Sequence, residues 1–297
     1  MAESSDHHAG PLDPGHLFGH VQDSEYIDVP RFLAPPDGRI PVSKWFSGEK
    51  TEENFNVEGY HFRLTKFMLI EVVVALVLAV IFIRLAQRMR GGGAPKGRWW
   101  NLLESMLVYM RDEVARPAIG EHGADRFLPF LWTMFFFVLG CNLFGMLPWA
   151  GSPTAALATT TALALITLAV VLGSGMKEMG AIKFWTGLVP HIELPFVLGI
   201  FLIPMIFVIE VMGLFIKHLV LAVRLLANMM AGHLVLAVIV AFIAAAAGQA
   251  LLFWGVMPAS VFGATALSLL ELFVAFLQAY IFTFLAAIFI GMAVHPH

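Results

Sequence analysis

Charged residues are scarce in this chain. Only 13% of its 297 residues are Asp, Glu, Lys or Arg, whereas 59% are hydrophobic. The mean hydropathy is +0.81. Because a soluble domain carries about a quarter charged residues, this composition excludes an ordinary soluble domain and indicates an integral membrane protein.

The sequence has a single cysteine, and its N-terminal region lacks the features of a secretory signal. The single cysteine, Cys141, lies in an apolar run, which excludes a disulfide within the chain and a cysteine-based metal cluster and favours a small buried hydrophobe. Residues 1–65 have no basic start and no early apolar core, so they do not resemble a secretory signal. We expect no cofactor and no metal site.

The N-terminal region is polar, rich in Pro and Gly, and acidic. Up to residue 60 it contains eleven acids and four bases. We predict residues 1–65 to be an extension outside the membrane, and a disordered tail is the favoured interpretation. It contains four histidines, whose spacing does not suggest a metal site: His7, His8, His16 and His20.

The remainder, residues 66–297, is predicted to be an all-α membrane domain with five membrane-embedded helices and one interfacial helix. The first span ends in the basic, Gly-rich stretch "RLAQRMRGGGAPKGR". By the positive-inside rule this loop is cytoplasmic, the N-terminus is outside and the C-terminus is cytoplasmic. The predicted elements are a span at 66–84, an amphipathic interfacial helix at 99–120, spans at 127–148 and 154–174, and long helices at 192–248 and 258–294.

The last two helices are too long to stand upright in a bilayer. The proline-free parts from Pro204 to Ala247 and from Pro258 to Val294 would extend roughly 65 Å and roughly 55 Å at 1.5 Å per residue. A bilayer core is about 30 Å thick. They must break or tilt, and the polar residues well inside both favour a strongly tilted hairpin.

Charge becomes rarer still after Lys183, and the few ionisable residues that remain are candidates for a functional site. An arginine such as Arg224 costs about 2.5–3.5 kcal/mol at membrane depth, and it does not release its proton. Pairing with Glu271 across the hairpin is one explanation, whereas Glu210 is roughly 20 Å away along the helix. The sharper hypothesis is that Arg224 meets a carboxylate on another protein. The charged residues after Lys183 are Glu193, Glu210, Lys217, Arg224 and Glu271.

Helical periodicity distributes these residues over two faces. Glu210, Lys217, Arg224 and Asn228 form one stripe, although the first two could simply be residues that snorkel to the membrane surface. His233 is roughly 180° from Arg224, and Glu271 shares a face with Gln278. A histidine and a carboxylate in apolar surroundings form a plausible proton relay.

Two segments carry a family resemblance, "VRLLANMMAGH" and "LLELFVAFLQAYIF". They resemble the signature of subunit a of F-type ATP synthases, and the resemblance extends from about Phe62 to Val294. It implies a non-catalytic, proton-translocating stator subunit of a bacterial inner membrane. Its implied partners are a rotating ring of c subunits, the b subunits of the peripheral stalk and the rest of the complex, with no nucleic acid.

The resemblance also implies roles for individual residues. Arg224 faces the ring carboxylates, Asn228 and Gln278 belong to the proton path, and Glu210 lies on the exit side. His233 and Glu271 are exchanged relative to the usual bacterial arrangement. Two positions depart from the family pattern: Ala158 stands where many members have Asn, and Gly145 where some have an acid.

Two other classes of protein remain as alternatives. A stand-alone secondary ion transporter usually shows internal repeats and broken helices, and no repeat is visible here. A purely structural membrane anchor would not need Arg224, His233 and Glu271 within its spans. The sequence leaves open whether H⁺ or Na⁺ is the coupling ion, and it assigns no role to the N-terminal extension.

Overall fold

The structure is a computed structural model, and its description covers most of the membrane domain. The predicted disorder of the extension, its four histidines and Glu193 lie outside the described residues. The described residues are 26–28, 39–41, 56–57, 60–61, 65–89, 97–147, 151–188, 196–246 and 250–294.

Two short antiparallel strand pairs occur in the N-terminal region. Strand β1 (Tyr26–Asp28) pairs with β2 (Arg39–Pro41), with Ile27 opposite Ile40. Strand β3 (Asn56–Val57) pairs with β4 (Tyr60–His61). The sequence analysis does not predict these strands. They are built around Tyr, Ile and Val, residue types that favour strands, but such short pairs have little stability of their own.

The membrane domain is helical wherever the structure describes it. Within those residues, five helices are long and apolar enough to cross a membrane, so the predicted fold class is confirmed. The helices are α1 (Lys66–Met89), α2 (Arg98–Tyr109), a π-helix (Met110–Ala115), α3 (Arg116–Ile119), α4 (Glu121–Gly145), a 3₁₀ turn (Pro153–Ala155), α5 (Leu157–Met179), α6 (Ala181–Gly187), α7 (Phe196–Ala246) and α8 (Ala250–Val294).

Several helix boundaries differ clearly from the predicted ones. Helix α1 ends at Met89 rather than at residue 84, and α4 begins at Glu121 rather than at residue 127. Helix α5 continues past residue 174 to Met179, where Lys177 in its last turn complements the helix dipole. Helix α8 begins at Ala250, and Pro258 lies inside it. A proline removes one backbone hydrogen bond, whereas ending a helix within lipid leaves several backbone groups unsatisfied. The helix therefore continues through the proline, and choosing Pro258 as its start was wrong.

Helices α7 and α8 contain 51 and 45 residues. At 1.5 Å per residue they extend roughly 76 Å and roughly 67 Å, more than twice the bilayer core of about 30 Å. Both are unbroken over these lengths, which excludes the alternative that they break within the described range. Their strong tilt stays a prediction.

The chain divides into two compact units. Unit 1 comprises residues 1–75, 140–156 and 226–276, and unit 2 comprises residues 76–139, 157–225 and 277–297. In unit 1, Gly232 of α7 faces Glu271 of α8, and Ile239 faces Gly263. The partner numbers rise on one helix as they fall on the other, so α7 and α8 run antiparallel there, as expected for a hairpin.

Unit 2 has a buried stripe along the end of α8. Ala279, Phe282, Ala286 and Ile290 have no exposed surface, and their spacing of three and four residues marks one helix face. A Cβ atom at the neighbouring Gly291 would overlap with the backbone carbonyl of Ala118. Glycine at this position therefore allows the end of α8 to lie directly against the interfacial segment.

Candidate functional site

Two of the predicted residues meet in the α7–α8 hairpin of unit 1. The Nδ1 atom of His233 lies 3.6 Å from Oε1 of Glu271, and the two side chains are 18% and 8% exposed. This distance is too long for a hydrogen bond but short enough for an ion pair when the imidazole is protonated. His233 and Glu271 meet because α7 and α8 run antiparallel there and place the two residues opposite each other.

The pair has unused hydrogen-bonding capacity. Within the described residues, neither Nε2 of His233 nor Oε1 of Glu271 has a hydrogen-bond partner, and both atoms are buried. A buried polar atom without a partner costs roughly 1–3 kcal/mol, so such atoms mark a role in function or a site for water. A base and an acid this close, each with a vacant atom, can receive a proton and pass it on.

Gly232 makes room for this pair, and sequence reasoning missed it. A Cβ atom at this position would lie 2.8 Å from Oε1 and 3.1 Å from Cδ of Glu271. Any side chain here would push the carboxylate away from its place beside His233. The only signal in the sequence is a glycine directly before the histidine in "MAGH", which by itself does not reveal its neighbour on α8.

A second polar cluster in unit 1 was also missed. The Thr154 hydroxyl donates to Oδ1 of Asn142 over 2.7 Å and lies 2.7 Å from the Ser152 hydroxyl. The Asn142 amide donates in turn to the carbonyl of Ala275, 3.4 Å away and one turn beyond Glu271 on α8. All three side chains are at most 1% exposed. This cluster connects the α4 end and the following turn to the helix that carries Glu271.

The structure explains why an acid is absent at Gly145. A Cβ atom at this position would overlap with Ser152, whose hydroxyl belongs to the Asn142–Thr154 cluster. With Ser152 in this place, the space beside residue 145 does not admit a side chain. The expectation that the region around Gly145 is lined differently from the family pattern stays a prediction.

Arg224 lies in unit 2 on an exposed part of α7. Its neighbours Val220 and Val223 are 47% exposed, and Arg224 itself is exposed. Across the described residues, Arg224 forms no ion pair and no side-chain hydrogen bond. The ionic contact of Glu271 is with His233. That the guanidinium meets an anion on another molecule stays a prediction.

Glu210 lies beside a cavity in unit 2. The cavity has a volume of about 160 Å³, and Glu210 and Lys217 are the charged side chains in its wall. The remainder of its wall is largely apolar and includes Leu214 of α7, Phe184 of α6 and Phe289 of α8. A small cavity with one acid and one base in its wall is a suitable place for water.

The other predicted residues are distributed between the units. Gln278 lies in unit 2, is 4% exposed and has no described hydrogen-bond partner for Nε2. Asn228 is half-buried in unit 1. Within the described chain, no hydrogen bond or ion pair joins Arg224, Asn228 or Gln278 to another predicted site residue. The sixth residue, Glu210, shares its cavity wall with Lys217, which the sequence analysis placed on the same helix face.

Comparison with known proteins decides the family. Residues 68–291 match the family model described as the ATP synthase A chain. The chain belongs to this family. The resemblance inferred from "VRLLANMMAGH" and "LLELFVAFLQAYIF" is thereby confirmed.

Individual relatives agree with this assignment. ATP synthase subunit a of Myxococcus xanthus is 35% identical over 294 residues, which cover 93% of this chain and 92% of the relative. The subunit of Chloroherpeton thalassium is 38% identical over 243 residues, covering 80% of this chain and 68% of the relative. For Anaeromyxobacter dehalogenans the identity is 42% over 206 residues, or 68% of this chain and 50% of the relative.

Family membership and the five apolar helices together define the class of protein. The chain is a multi-pass membrane protein of an ATP synthase membrane sector, and it serves ion transport and ATP synthesis.

Proposed function

We propose that this chain is the proton-translocating stator subunit of a bacterial ATP synthase, with Arg224 facing the carboxylates of a rotating c-ring. The observation that carries the proposal is the exposed guanidinium of Arg224, unpaired among the described residues, on a helix long and apolar enough to span a membrane. A permanent cation at this depth is costly. An anion supplied by a partner in the membrane would offset that cost.

Arg224 separates two aqueous half-channels in this proposal. A ring carboxylate that approaches the guanidinium is stabilised in its ionised form, so it releases its proton toward the exit. Because arginine keeps its own proton at any physiological pH, it does not itself carry protons directly from one half-channel to the other. The ring must turn for a proton to cross.

The inlet half-channel contains the His233–Glu271 pair. Their separation of 3.6 Å and their unpartnered atoms suit a relay that hands a proton to the ring carboxylate. Asn228 and Gln278 contribute polar groups along the same path. The neutralised carboxylate then faces lipid through most of a turn. The driving force is about 2.3 kcal/mol per charge for each 100 mV of membrane potential.

The exit half-channel opens at the cavity between Glu210 and Lys217. In this proposal Glu210 lies on the cytoplasmic side of the membrane, and so does the basic end of α1. At that end of α1 the guanidinium of Arg88 lies 4.7 Å from the centre of the Trp100 ring, and Trp99 is 79% exposed. Tryptophan and arginine together are typical of a membrane interface. We therefore propose a cytoplasmic C-terminus and an N-terminus outside.

The chain does no catalysis alone in this scheme; the b subunits hold it stationary while the ring turns. Replacing Arg224 by alanine in the intact complex tests the proposal. We expect ATP-driven acidification of inverted vesicles to disappear while the complex still assembles. Arg224→Lys should fail too, since a buried lysine can lose its proton. Normal acidification by either variant would refute the proposal.

Mild-detergent purification distinguishes this proposal from a stand-alone secondary transporter. A stator subunit should purify together with an oligomeric ring and an ATPase head. A transporter would purify alone and show transport when reconstituted by itself into liposomes.

A further inference from the structure

A second buried histidine, His218, lies in unit 2 and has no place in the scheme above. Its side chain is 3% exposed. Its Nδ1 atom is 2.9 Å from the carbonyl oxygen of Leu214, one turn earlier on α7. Because a carbonyl only accepts, Nδ1 must carry the proton in this hydrogen bond, and Nε2 is then a free base. Among the described residues Nε2 has no hydrogen-bond partner, although it is buried.

His218 contacts two residues of the wall of the cavity that contains Glu210 and Lys217, although it does not line the cavity itself. Leu214, whose carbonyl holds the imidazole, is part of the cavity wall, and so is Phe289 of α8. The rings of His218 and Phe289 have their centroids 5.0 Å apart. The imidazole is therefore held by two residues of the cavity wall.

The position of His218 along α7 lies between the cavity and Arg224. Glu210 is eight residues before it and Arg224 six residues after it, which corresponds to roughly 12 Å and roughly 9 Å of helix rise. A proton released near Arg224 must cover this distance to reach the cavity. The stretch of α7 between them is otherwise apolar apart from Lys217.

We propose that His218 is a proton-transfer residue on the exit side, a role that rests on the proposed function of the chain. A carboxylate of the c-ring releases its proton near Arg224. The proton passes through intervening water to Nε2 of His218, and the imidazole becomes imidazolium. Nε2 then releases that proton to water in the cavity. The other proton stays on Nδ1, which donates it to the Leu214 carbonyl throughout, and His218 returns to its neutral form after each transfer.

A packing role is the competing explanation, since the imidazole lies against Phe289. An aromatic hydrocarbon would fill that role without leaving a buried nitrogen unpartnered. Two substitutions separate the roles. His218→Phe keeps an aromatic ring but removes both nitrogens, and His218→Gln keeps polar atoms but cannot take up a proton at physiological pH. Phe289→Leu measures the contribution of packing, because it changes the packing partner and keeps both imidazole nitrogens.

The test measures ATP synthesis and ATP-driven acidification by the intact complex in inverted vesicles, at matched amounts of assembled complex. We expect His218→Phe and His218→Gln to lower both rates about 10²-fold or more, from the lower end of the range typical of general acid–base catalysis upward. Phe289→Leu should lower both rates less than either His218 substitution, because both imidazole nitrogens remain in place. If His218→Phe does not assemble, His218→Gln decides the question.

Chemical rescue gives a readout that packing alone would not produce. In His218→Ala vesicles, added imidazole should restore a substantial part of the rate, because it protonates near neutral pH as histidine does. Pyrazole has the same size and shape but is a far weaker base, so it should not. Equal rescue by both compounds, or rates within twofold of normal for His218→Gln, would overturn the proposal for His218.

Arg224→Ala, measured in parallel, keeps the two proposals apart. Loss of pumping in Arg224→Ala with normal pumping in His218→Gln refutes only the role of His218. Normal pumping in Arg224→Ala refutes the function on which that role rests.

Discussion

Replacing Gly232 by alanine should impair proton transfer without weakening the fold. The added Cβ would lie 2.8 Å from Oε1 of Glu271, and ordinary contact begins at 3.4 Å. The carboxylate must therefore move by about 0.6 Å, the difference between these two distances. Alanine is favoured over glycine inside a helix by about 0.8–1 kcal/mol, so α7 itself should not be destabilised.

The functional loss follows from the geometry of the pair. A misplacement of 1 Å can lower a rate by about 10²-fold, so a shift of about 0.6 Å should lower the rate of ATP synthesis by about tenfold. Inverted vesicles with a fixed proton gradient provide the assay, and the amount of assembled complex is measured on a native gel.

Gly213 offers a matched control on the same helix. A Cβ atom there meets nothing within 4 Å, so Gly213→Ala gives the same gain in helix propensity without a new contact. Shortening the carboxylate in the double variant Gly232→Ala, Glu271→Asp should relieve the overlap and recover part of the loss. Equal rates for Gly232→Ala and Gly213→Ala would refute the reasoning.

Three further predictions concern the relay, the buried cluster and the topology. His233→Glu and Glu271→His should each slow ATP synthesis, because they leave two acids or two imidazoles together. The double exchange should recover a substantial share of the lost rate. A double variant no faster than the slower single variant would show that the residues are not coupled. Thr154→Val removes the donor to a buried amide oxygen and should cost roughly 1–3 kcal/mol, seen as a lower midpoint of thermal unfolding in detergent, whereas an unchanged midpoint would contradict it. Single cysteines at Ser24 and Ala94, in a cysteine-free background, should react with an impermeant reagent from opposite sides of the membrane, and labelling from one side would refute the topology.

The spans and the charged residues could be found from the sequence because both depend on composition and helical period. An arginine such as Arg224 inside an apolar run is conspicuous whatever surrounds it. The proximity of His233 to Glu271 followed from a hairpin of two long helices. Helix ends were less predictable, since Pro258 reads as a boundary in water but is tolerated in the apolar helix α8.

Contacts between distant parts of the chain could not be predicted. The Asn142 amide and its acceptor on Ala275 are 133 residues apart, and no periodicity relates them. The need for glycine at position 232 comes from the Oε1 atom of Glu271 on α8, which a Cβ atom would overlap. The sequence analysis does not single out His218, because its burial and its contact with Phe289 depend on α8 folding against it.

The make-up of unit 2 has a consequence for biosynthesis. Residues 277–297 follow the other segments of this unit along the chain, and Gly291 lies against the carbonyl of Ala118. Phe289 likewise completes the surroundings of His218 and the cavity. The unit cannot close while the ribosome is still adding these residues. A nascent chain that already carries Arg224 in the bilayer therefore lacks a complete unit 2, and premature termination near the end of α8 should leave an inserted but non-functional subunit.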